Sequence, residues 1–167
     1  MMTRKYDSEF AFKYQRKSTR QSAHNYAWTS TYFITIPTEN REPLFDDPKL
    51  RSILQETWEA LPARFPGVTL DEFVIMPDHI HCILHVEGNT EKPISLGRII
   101  GAYKSITTVA WLRYIEANHL EQTCIIWQRG YHEHAIREPG ELEATRLYIR
   151  NNPNRSLERK QQLKKSE

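Results

Sequence analysis

The stretch that decides the fold is Val68-Thr69-Leu70-Asp71-Glu72-Phe73-Val74-Ile75-Met76-Pro77-Asp78-His79-Ile80-His81-Cys82-Ile83-Leu84-His85-Val86. Val68 to Ile75 reads as a strand rich in β-branched and apolar residues. Met76-Pro77-Asp78 is a tight connection, because Pro offers no N–H and fixes φ. His79 to Val86 is then a second strand, antiparallel to the first. Side chains alternate along it, so Ile80, Cys82, Leu84 and Val86 share one side, which should face the helices. His79, His81, Ile83 and His85 lie on the other.

Upstream of this hairpin, Thr31 to Ile36 is β-branched and aromatic, and Pro37 ends it as a strand. Pro43 to Pro48 is a loop. From Asp47 to Phe65 the apolar residues Leu50, Ile53, Leu54, Trp58 and Leu61 recur at helical spacing, and Pro66-Gly67 stops the helix. Downstream, Ser95 caps a helix running to Asn118, with Leu96, Ile99, Ile100, Tyr103, Ile106, Val109, Ala110 and Ile115 near its buried face. Cys124 to Trp127 begins a last strand that resumes through Tyr131–Ile136. Pro139 opens a final helix through Leu142, Thr145, Tyr148 and Ile149, which Asn152-Pro153 should end. The order β-α-β-β-α-β-α, with a hairpin between two crossings, is the split βαβ arrangement. The predicted class is α+β: an antiparallel sheet with helices mainly on one face, the other face open for a ligand, and an extra C-terminal helix.

The chain has 167 residues, 39% of them apolar, which is enough for one packed domain. No run is long enough to span a bilayer and no secretion segment opens the chain, so a soluble, cytoplasmic protein is expected. Cys82 and Cys124 fit no zinc spacing and are expected to be reduced and buried. Net charge is only +2, but it is unevenly spread. Residues 1–24 hold six Lys or Arg, among them Arg4, Lys5, Arg16, Lys17 and Arg20, against two acidic residues. Residues 155–167 hold five basic against two acidic, which leaves twelve basic and seventeen acidic between. Basic ends on an acidic middle suit a polyanion gripped by two arms, or two solvated tails. The organisation expected is a basic arm over 1–27, a domain over 28–155 and a basic tail over 156–167.

His79 and His81 at i, i+2 of a strand can converge on one cation, and as neutral bases they ligate metals at pH 7. A surface pair would have the same spacing. Tyr148 and Asn152 at i, i+4 share one helix face. Asn can give a metal its carbonyl oxygen, and Tyr is a usable nucleophile; a core tyrosine and a helix C-cap would read alike. Taken together, a cation held by His79, His81 and Asn152 beside the Tyr148 hydroxyl is a phosphoryl-transfer site.

Met76-Pro77-Asp78-His79-Ile80-His81-Cys82-Ile83 resembles the HUH motif of bacterial single-tyrosine transposases of the insertion-sequence 200-like type, in the branch of the REP-associated tyrosine transposases. Trp127 to Arg137 (WQRGYHEHAIR) resembles that branch's next block, and Tyr148-Ile149-Arg150-Asn151-Asn152-Pro153 its catalytic helix. The resemblance covers about residues 30–155. It implies a ferredoxin-like fold and a Mg²⁺- or Mn²⁺-dependent cut of single-stranded or hairpin DNA, leaving a 5′-phosphotyrosine and a free 3′-hydroxyl. It makes His79 and His81 metal ligands and Tyr148 the nucleophile. Asn152 stands where insertion-sequence relatives often carry Gln. His134 matches a recurring family position, which implies a supporting or DNA-contacting role or a buried structural histidine, and Arg137 and Arg150 are further candidates for supporting or DNA-contacting roles. Asn25-Tyr26-Ala27-Trp28-Thr29-Ser30 lacks the Gly-Gly step usual before the first strand of REP-associated members. Imidazoles by themselves favour Zn²⁺, Ni²⁺ or Cu²⁺ over Mg²⁺. Two alternatives are a phosphodiesterase that shares the histidines but uses activated water, and a domesticated DNA-binding protein without catalysis, against which the intact His-x-His and Tyr148 argue. Monomeric and homodimeric action are both compatible with the sequence.

Overall fold

A computed structural model describes residues 29–88 and 91–164. The strands are β1 (Ser30–Pro37), β2 (Val68–Met76), β3 (His79–Val86) and β4 (His132–Ile136). The helices are α1 (Pro48–Glu59), α2 (Leu61–Arg64), α3 (Leu96–Ala117) and α4 (Pro139–Lys164). The strands form one sheet in the order β2-β3-β1-β4, antiparallel throughout. Each of the two parallel pairs, β1 with β2 and β3 with β4, is split by an antiparallel strand, which is the ferredoxin-like topology that the hairpin and its flanking helices predicted.

One face of the sheet carries the larger core. Ile80, Cys82, Leu84 and Val86 of β3 lie there with Ile34 and Ile36 of β1, under Leu50, Leu54 and Trp58 of α1 and Ile99, Ile100 and Tyr103 of α3. The alternation along His79–Val86 therefore sorts the strand as expected. The buried stripe of α3 runs through Leu96, Ile99, Ile100, Tyr103, Thr107, Trp111 and Ile115. Thr107 and Trp111 thus join the stripe, Ala110 packs against the core while only partly buried, and Val109 is exposed. Thr107 can be buried because its hydroxyl bonds back to the Tyr103 carbonyl and accepts the Trp127 indole N–H.

The opposite face is not left open, contrary to expectation. Phe33, Ile83, Ile136 and Ile149 make a second, smaller apolar cluster, with Leu142 and Tyr148 packed against it. Ile149 and Leu142 belong to α4, so this helix lies across the face that carries His79 and His81. The predicted stop at Asn152-Pro153 does not occur, and α4 continues to Lys164. Proline at position 153 removes one backbone N–H, while Leu157 to Lys164 is built of strong helix formers.

Three further expectations change. The single helix over Asp47 to Phe65 is two, broken at Ala60 because Pro62 cannot donate to the turn before it. Residues 124–127 are not a strand: Trp127 makes one isolated bridge to Thr38, and Gly130, at φ 78, turns the chain before β4 begins. Cys82 is buried but Cys124 is exposed, and both are free thiols. The arm residues Arg4, Lys5, Arg16, Lys17 and Arg20 lie outside the described residues. Among the described residues, no helix is long and apolar enough to cross a membrane.

Candidate functional site

The site begins on β3, where the tight turn at Pro77-Asp78 delivers His79 and His81 to the α4 side of the sheet. Their rings meet at 4.5 Å between centroids, with the two Nε2 atoms 3.1 Å apart. Each ring is held from behind. His79 Nδ1 lies 2.6 Å from Asp78 Oδ1, and the other Asp78 oxygen is 3.0 Å from Arg41 Nε. His81 Nδ1 lies 2.8 Å from the Thr35 hydroxyl on the neighbouring strand. A carboxylate can only accept, so His79 donates through Nδ1 and keeps a lone pair on Nε2. The Thr35 hydroxyl can accept from His81 in the same way, which frees a second Nε2 lone pair toward the same point.

The electrostatics keep both rings neutral. Burial lowers the pKa of His79, partly opposed by Asp78. Burial pushes His81 down to about 3, with help from the neighbouring His79 and Arg41. Two neutral imidazoles with converging lone pairs 3.1 Å apart can both reach one cation, since metal–imidazole bonds are about 2.1 Å long.

Tyr148 comes to this pair from α4. Its ring centroid is 5.5 Å from that of His81 and 6.1 Å from that of Phe33, which itself stands 5.4 Å from His81. Asn152 follows one turn later on the same flank of the helix. Its Nδ2 is buried without a hydrogen-bond partner among the described residues. An amide can turn over, exchanging nitrogen for oxygen, so an unsatisfied buried amide on that flank fits a carbonyl donor for a cation. Among the described residues there is no cluster of three His, Cys, Asp or Glu that could hold a metal. A cation would therefore depend on His79, His81 and a ligand of another type, such as Asn152.

The remaining residues singled out from the sequence are engaged nearby. His134 Nε2 lies 2.6 Å from Glu141 in the first turn of α4. Arg150 donates from Nε to Glu72 at 2.7 Å. The Arg137 backbone N–H meets Glu141 at 3.4 Å. Sequence reasoning passed over Asp78, Thr35, Arg41 and Arg146. Asp78 had a signal, a carboxylate directly before the first histidine; Thr35 had none, since its role depends on the pairing of β1 with β3.

Fold and site together define a class: a ferredoxin-like sheet whose central strand presents a His-x-His to a tyrosine on a helix crossing the same face. This chain belongs to the family described as "Transposase IS200 like", which matches residues 26–152. An uncharacterized protein of Haemophilus influenzae is 33% identical over 178 residues, spanning 91% of this chain and 94% of that one. A solved REP-associated tyrosine transposase, bound to a REP hairpin, has the same fold with a TM-score of 0.60 and 20% identity, over 84% of this chain and 74% of the other. A transposase-like protein of Deinococcus radiodurans aligns with a TM-score of 0.50 and 20% identity, over 81% of this chain and 97% of its own.

Proposed function

We infer that this transposase-family protein is a metal-dependent single-stranded DNA endonuclease and strand transferase that acts in DNA transposition. Tyr148 is the nucleophile, and His79, His81 and Asn152 hold a divalent cation, Mg²⁺ or Mn²⁺. The observation that carries this reading is the approach of the Tyr148 ring to within 5.5 Å of His81, inside one chain, where the two histidine Nε2 atoms converge. A divalent ion held by these residues would polarise the scissile phosphate and would neutralise the charge that develops on its oxygens.

The protein's own groups supply the rest. The Tyr148 oxygen attacks phosphorus as the phenol loses its proton. The bond from phosphorus to the 3′ oxygen breaks, and that oxygen takes up a proton and leaves as a free hydroxyl. The DNA end stays on the protein as a 5′-phosphotyrosine. Attack by another 3′-hydroxyl reverses the chemistry, so joining needs no nucleotide triphosphate. Phe33, in contact with both rings, limits their movement, and the Asp78 and Thr35 contacts fix the imidazole orientations.

The substrate we propose is single-stranded or hairpin DNA, the latter in line with the REP hairpin held by the structurally similar transposase. Both halves of the site lie in one chain, which supports action as a monomer. The test is incubation with single-stranded DNA and Mn²⁺ followed by denaturing electrophoresis. Wild-type protein should give a DNA-shifted band and Tyr148→Phe none. Normal cleavage by Tyr148→Phe would instead point to an activated water.

A further inference from the structure

The helix that carries Tyr148 reaches the sheet through an ionic contact that the chemistry above does not use. Strand β2 is irregular at one place: Leu70 pairs with Leu84 and Phe73 with Cys82, so Asp71 and Glu72 together oppose Ile83. This is a β-bulge. Leu70 and Phe73 both pack on the larger core, which sends the two residues between them to the α4 face. A regular strand would have turned one of them away.

Two arginines at i, i+4 on α4 meet these carboxylates. Arg146 forks onto Asp71, with Nη2 at 2.6 Å from Oδ2 and Nε at 3.1 Å from both oxygens. Arg150 reaches Glu72 through Nε at 2.7 Å and Nη2 at 2.5 Å. Asp71 is further supported by His85 Nε2 at 3.0 Å, whose Nδ1 meets the Thr31 hydroxyl at 2.7 Å. Since the carboxylate accepts, His85 donates through Nε2 and accepts a hydrogen bond from the Thr31 hydroxyl at Nδ1. The chain Thr31–His85–Asp71–Arg146 thus runs from β1 across β3 and β2 to α4. Arg146 and Arg150 lie on one flank of the helix and Tyr148 and Asn152 on the other, with buried Ile149 between.

The apolar contact beneath α4 is small: among the described residues, four are buried in that cluster against twenty-two in the larger one. Apolar contact is also non-directional, so a cluster of this size selects the buried face of the helix but sets its exact rotation only loosely. Bidentate arginine–carboxylate contacts do fix direction. We propose that the Asp71–Glu72 bulge and the Arg146 and Arg150 side chains form a latch that sets the rotation and seat of α4, and that these four are positioning residues for Tyr148. This proposal rests on the nucleophile assignment for its catalytic consequence, but not for its structural one.

The test compares wild type, Glu72→Arg, Arg150→Glu and the double exchange Glu72→Arg/Arg150→Glu. Amide hydrogen exchange of residues 142–152 is measured without DNA, with β3 as the internal reference for global unfolding. Single-turnover adduct formation and DNA affinity are then measured separately. Each single change should speed exchange on 142–152, but not on β3, and slow adduct formation on the order of 10- to 100-fold, as displacement of a reacting group does. The double exchange, whose net charge equals that of wild type, should bind DNA with wild-type affinity and recover both rates. Arg146→Gln, which removes a charge without creating a repulsion, should repeat the effect if a reversed variant fails to fold. Unchanged exchange on 142–152 in the single variants overturns the proposal. So does a double exchange that recovers nothing, or a loss confined to DNA affinity, which would make Arg150 a DNA contact. If wild type forms no adduct, the nucleophile assignment falls, and the exchange rates alone still decide the latch.

Discussion

Replacing Asp78 with Asn probes how the histidine pair is prepared for a cation. Asp78 Oδ1 accepts from His79 Nδ1 at 2.6 Å, and its other oxygen is bound to Arg41 Nε at 3.0 Å. Asn keeps the shape of the side chain but removes the charge that fixes His79 as the Nδ1–H tautomer and strengthens Nε2 as a donor. It also leaves Arg41 without its counter-charge, and Arg41 already opposes positive charge on both histidines. Loss of such a supporting group lowers metal affinity by about 10- to 100-fold, or about 1.4–2.7 kcal/mol at room temperature. Paramagnetic resonance of unbound Mn²⁺, titrated into wild type and Asp78→Asn, measures this directly. Thermal unfolding without metal should change little, because Asp78 is partly exposed and Asn can still accept a hydrogen bond. An Mn²⁺ affinity equal to wild type would refute the tautomer argument, and with it the assignment of His79 Nε2 as a ligand.

Ile149→Ala empties a fully buried site in the small cluster under α4, and chemical denaturation should show a loss of about 2–5 kcal/mol, with slower adduct formation. Tyr103→Phe removes a buried hydroxyl that donates to the Leu54 carbonyl at 3.0 Å; it should cost about 1 kcal/mol by denaturation and leave DNA cleavage untouched. Acid should destabilise the metal-free protein. His81 titrates at about 3 in the folded state against 6.5 when unfolded, so between those values the unfolded chain binds more protons and stability falls as pH is lowered. For Asp71, burial works to raise the pKa, but the Arg146 and His85 hydrogen bonds outweigh it and hold it below 3.8, which adds to the fall at lower pH. A melting temperature that rises on acidification from 6.5 toward 3 would contradict both assignments.

The sequence exposed those features that repeat within one element. The alternation of Ile80, Cys82, Leu84 and Val86 against His79, His81 and Ile83 is local, and it sorted β3 correctly. The pairing of Tyr148 with Asn152 on one helix flank is local in the same sense. That the two faces meet required the packing of α4 across the sheet, which no period in the sequence encodes; the family motifs carried that step. The bulge at Asp71-Glu72 breaks the period of two, so a regular reading sends one of these carboxylates to the wrong side. Arg146 then looks like an ordinary exposed helix residue. Pro153 misled in the other direction, because a single missing N–H is a weaker constraint than the helix-forming run that follows it. Residues 124–127 carry strand-forming side chains, yet they are tied to the end of β1 only by the Glu39–Ile126 and Gln128–Pro37 backbone bonds around one bridge.

The proposed chemistry stands on a covalent bond between Tyr148 and DNA. Incubating the protein with a single-stranded oligonucleotide and Mn²⁺, digesting both polymers and locating the modified peptide by mass spectrometry tests this most directly. A 5′-linked nucleotide is expected on Tyr148, lost when His79 and His81 are both replaced by Ala. Cleaved DNA with no modified peptide, or a nucleotide on a different residue, would contradict it.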